Sequence, residues 1–153
     1  MESFKSCLQN RRGLTMPELL VAVLILVPLF VGVFYTFVKC MELSETAKNS
    51  SAAVAAGQNR LEEIENTAFN QVLATYNQTS FDTAGLNGKG LTYVNSVNAN
   101  LLEVIVSVSW REKNGRIIGE DTNLNGQLDA GEDKNGNNRL DSTVQITTLL
   151  HDA

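Results

Sequence analysis

The sequence predicts an α+β fold. One long N-terminal helix packs on a small antiparallel sheet, and the sheet carries an acidic insertion near the C-terminus. Three observations predict it. Residues 19–38 are apolar and uncharged, with Arg11 and Arg12 before them and Lys39 after. Residues 43–68 then repeat apolar and small side chains at three- and four-residue steps. Beyond residue 90 the spacing changes to the two-residue alternation of strands.

The apolar run spans roughly 30 Å at ~1.5 Å rise per residue, the thickness of a bilayer's hydrocarbon core. Glu18 is the one charge at its margin. An ionised carboxylate placed centrally in a membrane costs about 2.5–3.5 kcal/mol, so its position asks for a purpose. Lys5, Arg11 and Arg12 keep the N-terminus cytoplasmic and place everything after Lys39 outside the cytoplasm. Pro17 falls where a helix begins and its missing N–H has no partner to lose. Pro28 and Gly32 interrupt the run, predicting a kink, bend or locally melted turn.

The amphipathic half places Leu43, Ala47, Ser50, Val54, Gly57, Leu61, Ile64 and Ala68 on one stripe, with Glu42, Glu45, Lys48, Arg60, Glu62 and Glu63 mostly off it. Small residues on that stripe would let a sheet lie close. One helix from about Thr15 to about Asn66 would measure roughly 75–80 Å. Residues 67–90, rich in Asn and Gly, read as a connecting loop. Residues 91–97 form a first strand. Residues 101–110 form the clearest one, with Leu102, Val104, Val106 and Val108 facing the helix. Asn114-Gly115 is a hairpin turn signal, 116–119 begin the return strand, and 143–150 form the last strand.

The segment Arg11-Arg12-Gly13-Leu14-Thr15-Met16-Pro17-Glu18 and its apolar run resemble the N-terminal processing motif of type IV pilins and type II secretion pseudopilins. The resemblance implies that a prepilin peptidase cuts after Gly13 and methylates Leu14, and that Glu18 is the assembly glutamate of the mature chain. Leu14 departs from the phenylalanine commonest at its position. The implied organisation is a leader at 1–13, a transmembrane and filament-core helix at 14–38, and an extracytoplasmic domain at 39–153. The domain divides into an amphipathic helix (39–66), a connecting loop (67–90) and a sheet (91–153). The apolar stretch ending in Trp110, the Asn-Gly turn and the closing Ile-Thr-Thr-Leu-Leu are similar to the minor pseudopilin I and PilV-like minor pilins.

The insert at 119–142 contains a repeat of 12 residues, in which Glu120-Asp121, Asn123, Asn125, Leu128 and Asp129 are echoed by Glu132-Asp133, Asn135, Asn137, Leu140 and Asp141. The first copy resembles the calcium loop of EF-hands and dockerins. Asp121, Asn123, Asn125, the Gln127 carbonyl, Asp129 and Glu132 are its ligands, Gly126 its turn and Leu128 its inward apolar anchor. The second copy supplies Asp133, Asn135, Asn137, the Arg139 carbonyl and Asp141, with Asn138 in the glycine's place. Val144 at its twelfth position cannot ligate, and Glu120 is the candidate to close it from the other repeat. Hard oxygens alternating along a tight turn suit Ca²⁺ better than Mg²⁺. A solvated Asn/Gly-rich acidic loop is the plainer reading of the same residues. Their carboxylates, offset only by Lys134 and Arg139, would repel one another without a cation.

The formal net charge of −5 argues against a nucleic-acid partner. Cys7 would leave with the leader. Cys40 would remain as a small residue at the membrane boundary or, on a sharper reading, as a site of intermolecular bridging or lipid attachment. His151 is the lone histidine, and no nucleophile elbow, phosphate loop or zinc-type cluster is present, so no enzyme is expected. The expected function is a structural subunit of a type IV pilus or type II secretion pseudopilus. Its expected partners are other pilin or pseudopilin subunits, prepilin peptidase, the inner-membrane assembly platform and, before assembly, membrane lipid. It would pass from the inner membrane to a periplasmic or cell-surface filament. The alternative is a permanently anchored, calcium-dependent adhesin or binding module that does not polymerise.

Overall fold

The computed structural model describes residue 13 and residues 15–152. The expected leader residues 1–12 and the expected methylation site Leu14 lie outside the described residues. The chain divides into two compact units, one through Leu43 and one from Ser44 on.

The first unit holds the apolar half of helix α1 (Met16–Glu65). The predicted ends at Thr15 and Asn66 are each met to within one residue. Every large apolar side chain from Met16 to Val38 is exposed. The helix is long and apolar enough to cross a membrane, with a mean hydropathy of 2.7 over its best window. A continuous apolar surface of this kind is stable only against lipid or another protein. α1 stays helical through Pro28 and Gly32, so this stretch holds no locally melted turn. The Thr36 hydroxyl donates to the Gly32 carbonyl at 2.9 Å, holding one turn of this stretch from the side-chain side.

The second unit contains the rest of α1, helix α2 (Phe69–Tyr76) and strands β1 (Thr79–Asp82), β2 (Gly88–Asn98), β3 (Leu101–Arg111), β4 (Ile117–Ile118) and β5 (Val144–His151). All pairings are antiparallel. β1, β2 and β3 lie side by side, and the free edge of β3 is shared by two strands. β5 covers it from Leu101 to Val108, and β4 covers Trp110 and Arg111. The acidic insert therefore loops out of one interrupted edge strand, leaving after Ile118 and returning at Val144.

Leu102, Val104, Val106 and Val108 are buried against Ala53, Leu61 and Ile64 of α1, as the alternation predicts. The stripe on α1 needs correction. Gly57, Leu61 and Ile64 are buried and Ser50 is half-buried, but Leu43, Ala47, Val54 and Ala68 are exposed, and Ala53 takes the central contact. The run Ala52-Ala53-Val54-Ala55-Ala56 carries too little contrast in hydrophobicity to fix the helix face.

Residues 67–90 are not a simple loop. Phe69, Val72 and Tyr76 recur at helical spacing, and α2 buries Val72 and Tyr76 against the core. Phe81 on β1 packs on the same core. Arg60 of α1 ties the two together: its guanidinium lies 4.7 Å from the Tyr76 ring and 5.1 Å from the Phe81 ring, pairs with Glu63 at 2.7 Å and donates to Thr79 at 3.1 Å. The predicted turn at Asn114-Gly115 is present, with Gly115 at φ +85° and its N–H on the Glu112 carbonyl at 2.9 Å.

β3 is covered on both faces. Ile105, Ser107 and Ser109 would face solvent in a two-layer fold, yet all three are buried. Ile105 belongs to a second small cluster with Leu91, Tyr93 and Leu140, so the insert is the third layer over this part of the sheet.

Candidate functional site

Two regions carry the candidate residues. At the N-terminus, Gly13 is exposed, with open space around it. Glu18 lies in the first turn of α1. Its Oε2 is 3.5 Å from both the N–H and the hydroxyl of Thr15, a long, weak version of the carboxylate half of a capping box. The pattern Thr15-x-x-Glu18 before an apolar run was the available signal for this contact.

The insert is more closely organised. Its repeat recurs in the backbone: positive φ at Gly119, Leu124 and Gly126 is matched twelve residues later at Gly131, Gly136 and Asn138. Two of these positions need glycine for space as well. A Cβ on Gly119 would run into the Ser109 side chain of β3, and one on Gly126 into Ser80 of β1.

In the first loop the Asp121 carboxylate accepts the N–H groups of Asn125 at 3.1 Å and Gly126 at 2.8 Å. Asp129 receives the side-chain amides of Asn123 at 2.8 Å and Asn125 at 2.7 Å. Glu132 folds back to accept the Thr122 N–H at 2.8 Å, the Thr122 hydroxyl at 2.7 Å and the Asp129 N–H at 3.2 Å. The second loop repeats the scheme. Asp133 accepts the N–H groups of Asn137 at 3.0 Å and Asn138 at 2.8 Å, and Asp141 receives the amides of Asn135 at 2.6 Å and Asn137 at 2.7 Å. Hydrogen bonds thus link Asp121, Asn123, Asn125 and Asp129 in the first loop, and Asp133, Asn135, Asn137 and Asp141 in the second.

Asp121 is 2% exposed and Glu132 4% exposed. Among the described residues none of Glu120, Asp121, Asp129, Glu132, Asp133 or Asp141 is in a salt bridge. Burial works to raise the Glu132 carboxyl. The Thr122 hydroxyl and the N–H groups of Asp129, Thr122 and Asn123 outweigh it, holding the group below its ordinary value. It is therefore an anion at neutral pH in a place where anions are costly.

Among the described residues no group of three or more His, Cys, Asp or Glu side chains is placed to hold a metal ion alone. A cation in either loop would rely on the Asn amide oxygens and on the Gln127 or Arg139 carbonyl as well as on carboxylates. That donor set, all hard oxygen and rich in charge, fits Ca²⁺ and does not fit Zn²⁺ or a soft metal.

One predicted anchor is misassigned. Leu128 is 40% exposed, whereas Leu140, its counterpart in the second loop, is 1% exposed and packs on Leu91, Tyr93 and Ile105. Both loops touch the sheet, the first through Gly126 beside Ser80, but only the second places its apolar residue in the core cluster. The Leu140 N–H donates to the Tyr93 hydroxyl at 2.7 Å, a contact across 47 positions of chain that no local pattern signals. Tyr93→Phe leaves this buried N–H without a partner, so the second unit should lose about 1–3 kcal/mol in thermal or denaturant unfolding. Burial raises the Tyr93 phenol above its ordinary value near 10, while the Leu140 N–H works against the rise. The neutral phenol is thus favoured by folding. Its contribution is complete below pH ~10 and is lost as pH climbs through the folded value. Wild-type melting should show this alkaline loss, and Tyr93→Phe should lack it.

No family model, curated protein or solved structure matches this chain.

Proposed function

We propose that the protein is a structural subunit of a filament of the type IV pilus or type II secretion pseudopilus kind, cut after Gly13, methylated at Leu14 and assembled through its N-terminal helix. The observation that carries this reading is a combination. A basic segment ending in Gly13 and a lone Glu18 stand before a helix whose apolar half is exposed throughout, and the same helix continues into a sheet-packed domain. Exposed apolar surface of that extent needs lipid before assembly and neighbouring subunits after it. Prepilin peptidase and an inner-membrane assembly platform are the partners this route requires.

Calcium is the proposed ion of the insert. Asp121, Asn123, Asn125, Gln127, Asp129 and Glu132 would hold it in the first loop, and Asp133, Asn135, Asn137, Arg139 and Asp141 in the second. When bound, the ion neutralises carboxylates that have no basic partner and orders the layer over β3. The role is structural, since no long helices flank the loops as they do in calcium switches.

Co-expression with the peptidase and assembly machinery, followed by shearing of the cells, tests the reading. A filament subunit appears in the sheared fraction. A permanently anchored module stays in the membrane fraction, and that outcome would reject the proposal.

A further inference from the structure

We propose that the turn between β3 and β4 docks on anionic phospholipid headgroups, adding an electrostatic contact with the membrane to the apolar one made by α1. The inference rests on the reading of α1 as a membrane anchor before assembly. It concerns which other residues meet the lipid.

The fold brings this turn to the part of α1 that follows the apolar run. The run ends at Lys39, and Glu45 and Thr46 come six and seven residues later, roughly 10 Å along the helix. There the Thr46 hydroxyl donates to Glu112 at 2.7 Å, and Lys113 pairs with Glu45 at 3.4 Å. Residues 66 positions apart are thus joined just past the apolar run. The turn is shaped by its own backbone: the Glu112 N–H donates to the Arg116 carbonyl at 2.8 Å and the Gly115 N–H to the Glu112 carbonyl at 2.9 Å.

Charge is sorted by depth here. The carboxylates are turned inward, with Glu112 buried and Glu45 half-buried. The cations are turned outward: the Lys113 side chain is 85% exposed, that of Arg116 is 63% exposed, and Arg111 is exposed as well. Lys113 and Arg116 each reach one carboxylate at 3.4 Å, and each carries more N–H donors than that contact engages. Lys48, three residues along α1 from Glu45, adds a fourth exposed cation on the same side of the helix. Lys39 and Glu42 pair with each other and leave the local balance unchanged. Four basic residues thus stand against Glu45 and Glu112, whereas the rest of residues 44–152 carries twelve acidic residues and four basic ones. An anionic surface repels most of this unit and attracts the turn. A headgroup layer is favoured over an acidic neighbouring chain because the helical rise from Lys39 is about one screening length at 0.1 M salt.

The test uses the full chain in vesicles of phosphatidylcholine, or of an equal mixture of phosphatidylcholine and phosphatidylglycerol. Each lysine is acetylated briefly with an amine-reactive ester and read by mass spectrometry, with Lys134 in the insert as the reference. In the anionic vesicles Lys113 should react several times more slowly, relative to Lys134, than in phosphatidylcholine. Salt at ~1 M, where screening acts within roughly 3 Å, should remove the difference. Arg111→Gln changes an exposed side chain and should cancel most of the protection, because one basic group near an anionic surface shifts such an equilibrium about fivefold. Equal Lys113 reactivity in the two lipids would overturn the inference. Protection that is already present in phosphatidylcholine and grows with the number of copies per vesicle would also overturn it, by assigning the turn to a neighbouring chain. A chain that does not float with either vesicle would instead refute the anchor reading beneath it.

Discussion

Glu18→Ala is expected to abolish recovery of the protein in sheared filaments while leaving its membrane insertion intact. The apolar run that drives insertion does not include Glu18, so removing one carboxylate at its margin does not weaken partitioning. Assembly differs. In the proposed filament the N-terminal ammonium of Leu14 enters an apolar bundle, where an unpaired charge is costly, and Glu18 of a neighbouring subunit neutralises it. Removing one partner of a buried pair costs about 3–5 kcal/mol, which at ~1.4 kcal/mol per tenfold is a loss of several hundredfold or more at each interface. The contact of Glu18 with Thr15 offers a competing explanation, that it serves only to cap the helix. Glu18→Gln separates the two, because glutamine also completes a capping box but carries no charge. The charge account predicts that Gln fails as Ala does. Normal filament yield from Glu18→Gln would favour capping.

Trp110→Ala is expected to be the most destabilising single truncation in the second unit, by about 3–5 kcal/mol in denaturant unfolding. Trp110 is fully buried and has the largest side chain among the residues so enclosed. It sits where β3 pairs with Gly88 of β2 on one side and Ile118 of β4 on the other, just before the insert leaves the sheet. Its indole N–H finds no partner among the described residues, so the contribution is packing and not hydrogen bonding. Trp110→Phe removes that unpaired donor and retains much of the ring, and should cost well under half of what Ala costs. Equal losses for Phe and Ala would show that the indole N–H contributes more than its surroundings indicate.

Much of the architecture was legible because it rests on periodicity. Both ends of α1, the two-residue alternation of 101–110 and the Asn114-Gly115 turn are local signals, and each is found within a residue or so of its expected place. The misreadings came where local signal is thin. The alanine-rich stretch of α1 left its buried face undetermined, and α2 hides three core side chains among turn-forming residues. The seating of Leu140 instead of Leu128 depends on which loop meets Tyr93, a long-range fact. The repeat of the insert was visible as alternating oxygens. Its Gly119 and Gly131 members, which set the backbone at the head of each copy, were legible too but carry no ligand to draw notice. Ser107 and Ser109 fall at alternate positions that a two-layer sheet leaves to solvent, and alternation alone does not signal that both are buried.

The central claim is that the chain is a processed filament subunit, and the mass and N-terminal sequence of the mature protein test it most directly. The protein purified from cells that carry a prepilin peptidase should begin at Leu14 with one added methyl group on its amine, and Gly13→Ala should retain the leader. A mature protein that still carries residues 1–13, or one cut beyond the apolar helix, would contradict the account.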